Sequence, residues 1–115
     1  MARDKLTNPN KVTQFDLVLN GDAINSGFMT VRVCGKIAIL SGFVNLKVQG
    51  IGLTIGSIPS QYSYCCPAVY TWLSEAGFSQ DNSGEYNIAP DGTFKGNTLA
   101  MGYDVKLSGA WIISG

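Results

Sequence analysis

An all-β domain is the expectation for this chain: one antiparallel β-sandwich, jelly-roll-like, of about eight strands. Three observations carry it. Gly, Ser, Asn and Thr interrupt short apolar runs at intervals of about ten residues, the spacing of strands and turns. No window of about eleven residues or more shows a clean helical period; the best candidate, Thr71 to Gly77, offers one or two turns. One hairpin can be registered residue by residue. With 115 residues, 45% hydrophobic and 14% charged, the chain suits a single packed domain and not a disordered one.

Residues 1–13 are polar, carry Asn8-Pro9-Asn10 and show no period, so they read as a leader or linker before a domain spanning 14–115. Phe15 to Leu19 is a short alternating strand, ended by the turn dipeptide Asn20-Gly21. The hairpin follows: Phe28 to Cys34, the loop Gly35-Lys36, then Ile37 to Val44. Glycine first in a two-residue loop marks a type II′ turn, which pairs Cys34 with Ile37 and sets every pair beyond. Val33/Ala38, Val31/Leu40 and Met29/Gly42 share one face, and Val44, Leu46 and Val48 continue it as the core face. Arg32/Ile39, Thr30/Ser41 and Phe28/Phe43 fall on the other. That second face should be polar if it met only water. Instead it carries Phe28, Ile37, Ile39 and Phe43, an apolar surface that calls for a cover. A segment of the same chain is one cover. A second copy is the other, favoured because so small a domain has few residues to spare.

Beyond the hairpin, Ile51 to Gly56 is a glycine-dotted strand running into Ile58-Pro59, and Ala68 to Trp72 is the next. Ser74 to Gly84 is a polar loop. Tyr86-Asn87-Ile88 and Thr93-Phe94-Lys95 flank Ala89-Pro90-Asp91-Gly92, where proline presets φ and glycine supplies a positive φ. Leu99, Met101, Tyr103, Val105 and Leu107 then alternate with polar or small residues, and Trp111-Ile112-Ile113 closes the chain.

Much chemistry is excluded by what the chain lacks. Eight Lys+Arg balance eight Asp+Glu, with no two cations adjacent, so nucleic acid is not an expected partner. There is no histidine, which removes Ser-His-Asp and Cys-His catalysis and the commonest metal ligand. No cofactor is implied. Three cysteines, Cys65 and Cys66 adjacent, do not form a disulfide framework. Free thiols are expected, with a Cys65–Cys66 ring or a bridge to Cys34 as alternatives. No signal peptide and no membrane-spanning run is present, so the expectation is synthesis in the cytoplasm without membrane insertion. Gly50-x-Gly52-x-x-x-Gly56 has the wrong spacing for a phosphate loop. Glu75 with Asp81 or Glu85 could supply the two carboxylates of a glycosidase, but any loop holding several acids offers such a pair.

Saccharide binding fits the residue supply better. Sugars present C–H faces that stack on aromatic rings and hydroxyls that pair with carboxylates and amides. Tyr70, Trp72 and Tyr86 bracket a loop holding Asp81 and Asn82, with Glu85 beside it, and these six are the candidate contact residues. Tyr70 and Trp72, two apart on a strand, face the same way and share one fate, core or surface.

At this point the order of motifs resembles the C-terminal head domains of phage tail-fibre and baseplate receptor-binding proteins. Leu19-Asn20-Gly21, then Val31 to Val44 with its basic strand, glycine turn and apolar strand, looks like their opening. Ser57-Ile58-Pro59-Ser60-Gln61-Tyr62 looks like their Leu-Pro-x-x-Tyr-Arg-Pro stretch, although Ser63 to Pro67 replaces the Arg-Pro. Gly84 to Phe94 looks like their later Gly-x-x-x-Ile-x-x-Asp-Gly hairpin. The resemblance covers about residues 15–115. It implies a non-enzymatic homotrimeric head at a virion tail tip, joined to other tail or baseplate proteins and binding host cell-surface saccharide. A structural trimerisation or capping module of the same apparatus is the alternative, and an endoglycosidase a third reading.

Overall fold

The computed structural model describes residues 12–76, 84–98, 101–102 and 104–114. Among these residues there are ten strands: β1 (Val12–Asp16), β2 (Val18–Leu19), β3 (Ile24–Cys34), β4 (Ile37–Leu46), β5 (Gly50–Ser57), β6 (Thr71–Trp72), β7 (Ser74–Ala76), β8 (Gly84–Ile88), β9 (Thr93–Thr98) and β10 (Asp104–Ile112). A 3-10 helix, Ser60–Cys65, joins β5 to β6. The strands make two five-stranded antiparallel sheets. Sheet A has the order β1-β3-β4-β10-β7, and sheet B the order β2-β5-β9-β8-β6. The expected antiparallel β-sandwich is what the chain forms.

The hairpin adopts the expected register, Cys34 opposite Ile37 and Phe28 opposite Phe43, with Gly35 at φ 64° in its turn. Strand β3 starts at Ile24, earlier than the alternation indicates, after an irregularity between Ile24 and Ser26. Met29, Val31, Val33, Ala38, Leu40, Val44 and Leu46 are buried. Gly42 faces Met29 in a backbone conformation (φ 153°) that side chains rarely adopt. A Cβ there would collide with the carbonyl of Phe28 and come within 2.8 Å of the Met29 Cα, so glycine permits β3 and β4 to approach.

Each flank of the sandwich is closed by a strand that changes sheets at a leucine. Residues 12–19 run from β1 in sheet A to β2 in sheet B through Leu17, which is buried. Residues 71–76 run from β6 in sheet B to β7 in sheet A through Leu73, which packs on the core where Gly109 leaves space. One apolar side chain at each crossing fills the seam between the sheets.

Several expectations change. The strand expected over Phe15 to Leu19 is divided at Leu17, and Val12 and Thr13, assigned by composition to the leader, already pair with Cys34 and Val33. The helical candidate at Thr71 to Gly77 is strand as far as Ala76, because Thr71 and Trp72 pair with Ile88 and Asn87 and the next strand pairs with β10. The short helix among the described residues instead follows Pro59, whose fixed φ starts the turn. The Tyr62 ring then stacks on Phe15 at 4.1 Å and 6°, and the Trp111 indole N–H donates to the Cys65 carbonyl at 2.8 Å. Strand β10 starts at Asp104, with Met101 exposed before it; Leu99 and Tyr103 lie outside the described residues.

Candidate functional site

Pairing alone determines what sheet B presents on its outer surface. The turn Ala89–Gly92 has Gly92 at φ 90°, and the Thr93 backbone N–H donates to the Asp91 carboxylate at 2.9 Å. That bond holds the Asp91 pKa below the usual carboxylate value. The turn sets Ile88 opposite Phe94, Asn87 opposite Lys95 and Glu85 opposite Asn97. Tyr86 and Ile88 point inward; Glu85, Asn87, Lys95 and Asn97 point outward. Trp72 pairs with Asn87 and Thr54 with Lys95. One row therefore crosses four strands: Trp72, Asn87, Lys95, Thr54.

Tyr70 and Trp72 share the surface fate. Trp72 is 62% exposed and Tyr70 56%, with ring centroids 6.4 Å apart and planes tilted by 34°. Two open aromatic faces thus stand at the edge of a polar row. Asn97 is oriented for donation, because its Oδ1 accepts the Gly52 backbone N–H at 2.8 Å and its amide N–H groups are at the other end. Glu85 is exposed beside it.

Tyr86 is in the core, not at a surface. It is 1% exposed, and its ring lies over Gly96, where a Cβ would come within 2.7 Å of it. Phe94 is 6.5 Å away, centroid to centroid. The reason is alternation: Tyr86 shares its face with Ile88, opposite a glycine that makes room for the ring. Asp81 and Asn82 lie outside the described residues. Asn87, Lys95 and Asn97 were missed as candidates. The signal was available, since Pro90-Asp91-Gly92 predicts the hairpin and hence their common face.

Of the carboxylates considered for glycosidic chemistry, Glu75 belongs to β7 of sheet A and Glu85 to β8 of sheet B. Burial raises the Glu75 pKa above the usual carboxylate value. The three cysteines are unbridged, with Cys34 exposed and Cys65 and Cys66 buried.

The double layer of five antiparallel strands has the fold of a solved phage receptor-binding head domain. That structure, one of several that match, is the head domain of phage bIL170, described with the receptor-binding domains of lactococcal phages. It matches with a TM-score of 0.62 over 90% of this chain and 100% of that one, at 14% sequence identity. No protein-family model and no curated protein sequence matches the chain.

Proposed function

We propose that the chain is the receptor-binding head of a phage or prophage tail device. It works at the tail tip or baseplate as a homotrimer and recognises host cell-surface saccharide without covalent chemistry. The carrying observation is the exposed Tyr70–Trp72 pair at the edge of a row of amide and charged side chains, on a fold shared with the bIL170 head domain. Trp72 and Tyr70 supply the stacking faces. Glu85 supplies an exposed carboxylate, and the proposal keeps Asp81 and Asn82 as further polar partners. A shallow contact of this kind is weak at one site, and three copies on one trimer recover affinity through avidity.

Assembly through the outer face of sheet A is part of the same reading. Val12, Cys34, Ile37 and Ile112 form one cross-strand row there, and Ile39 stands in the next. A capping or trimerisation module would use that face equally but has no need of an exposed Trp72. Glycan-array binding by the wild-type and Trp72→Ala proteins separates the two. Specific binding lost on substitution, with an unchanged circular dichroism spectrum, is the expected result. Undiminished binding by the folded variant overturns the placement, and absence of any binding by the wild type favours the capping module. Release of shortened polysaccharide would instead point to an endoglycosidase.

A further inference from the structure

The outer face of sheet B holds a second feature, away from Trp72. Val18 pairs with Ser57, and Ser57 with Thr93, so these three make the next row along the face. Beside them and Thr54 the surface sinks into a depression of about 210 Å³, lined also by Leu19 and Asn20. Its shape comes from the backbone. Strand β5 changes register between Thr54 and Gly56, a bulge that bends the strand beneath the depression. Residue 56 has to be glycine for β2 to close on β5, since a Cβ there would come within 2.6 Å of the Val18 carbonyl. Asn20 is held at both ends of its amide: its Nδ2 donates to the Thr54 carbonyl at 2.9 Å, and its Oδ1 accepts the Asp22 N–H at 3.0 Å. The walls are thus preformed.

The lining states its ligand chemistry. Thr54, Ser57 and Thr93 bring hydroxyls, that of Thr93 already bonded to the Asp91 carboxylate, Val18 and Leu19 bring methyl groups, and no ionisable side chain lines the depression itself. Such walls suit a small neutral molecule that offers both hydroxyls and C–H surface. Pockets for drug-sized ligands run to about 300–1,000 Å³, so this one takes a single ring and not a larger group. The depression begins on β5, and Trp72 on β6 lies three strand spacings away across β9 and β8, about 14 Å. Lys95 and Asn87 occupy the line between them.

We infer that this depression is a second sugar subsite, taking an uncharged residue of the same oligosaccharide that stacks on Trp72. The inference rests on the saccharide reading above and extends it: the ligand is a chain of several sugars laid across sheet B, with a neutral unit at the β2 side. The test is a 1H–15N NMR titration of the full chain with a panel of mono- and trisaccharides of glucose, galactose, rhamnose and N-acetylglucosamine. A binding trisaccharide should shift the Gly56, Ser57 and Thr93 amides together with the Trp72 indole N–H. Shifts at Trp72 alone overturn the second subsite and leave the first reading standing; silence at both places across the panel overturns both. Thr54→Val, at an exposed position, should weaken trisaccharide binding by up to about tenfold and leave monosaccharide binding at Trp72 unchanged. Equal weakening of both, or of neither, overturns the inference.

Discussion

The two outer faces of the sandwich are built by the same alternation and hold opposite chemistry. Sheet A is apolar at one end, with Val12, Cys34, Ile37 and Ile112 in one row, while the next sets Ile39 and Ala110 beside Arg32 and Gln14. Toward its other end it turns polar. There Asn45 donates to Asp104 at 2.9 Å and accepts from Asn25 at 3.0 Å. Sheet B reads Trp72, Asn87, Lys95 and Thr54 across its middle, aromatic at one edge and polar beyond. Among the described residues both faces carry exposed side chains, and the difference is what each needs from outside. Aliphatic side chains gain only by leaving water, which a second copy of the chain permits. Amides, hydroxyls and an aromatic edge gain from a ligand with directional polar groups. In the proposed function this difference puts assembly and recognition on opposite sides of one scaffold, so that each should be breakable alone.

The largest effect is expected on sheet A. Ile39 is 54% exposed in the isolated chain, so Ile39→Lys should leave the fold intact. In an assembly, each buried aliphatic stabilises by about 1.5–3 kcal/mol, and an unpaired charge adds a further penalty. Light scattering should therefore find the wild type oligomeric and the variant monomeric. A wild type that is monomeric at micromolar concentration breaks the comparison at its first term.

How much of this was legible in the sequence varies with the range of the interaction. The β3–β4 register was legible because a two-residue turn with Gly35 at its first position leaves one solution, and the apolar outer face follows from that register. The crossings at Leu17 and Leu73 were not. Whether a run of residues stays in one sheet or changes to the other depends on partners distant in sequence, such as β5 for Val18 and β10 for Ser74. The Trp72 site was half legible. Spacing by two showed that Tyr70 and Trp72 share a fate, but surface against core is decided by Asn87 and Ile88 on the neighbouring strand. Tyr86 could have been excluded from the sequence, since it shares its face with Ile88 and stands opposite Gly96 in the hairpin that Asp91-Gly92 defines.

That pair of aromatics sharpens the comparison on the recognition side. Tyr86→Ala empties a fully buried site and should cost about 3–5 kcal/mol in chemical denaturation. Trp72→Ala removes an exposed side chain and should stay within about 0.5 kcal/mol of wild type. A destabilisation by Trp72→Ala comparable with that of Tyr86→Ala would make Trp72 a structural residue and withdraw it from the proposed site.

The smallest effect is a difference in rate. Alkylation proceeds through the thiolate and needs access to it. Burial raises the thiol pKa of Cys65 and Cys66, so both stay neutral and shielded while the chain is folded. The sign also sets a pH dependence. A thiol pKa raised by folding leaves stability complete below the ordinary thiol range and draws it down as pH rises beyond that range. Cys34 is exposed in the single chain, in the row with Val12, Ile37 and Ile112. Iodoacetamide at neutral pH should therefore modify Cys34 alone, with Cys65 and Cys66 reacting only after denaturation. If sheet A is the assembling face, Cys34 is covered in the wild type and open in Ile39→Lys. Well above the concentration of half-assembly only a minor fraction of chains is free, so the wild type should react several-fold more slowly than the variant. Equal rates from an oligomeric wild type would move the interface off the Cys34 row, and with it the claim that assembly and recognition use opposite faces.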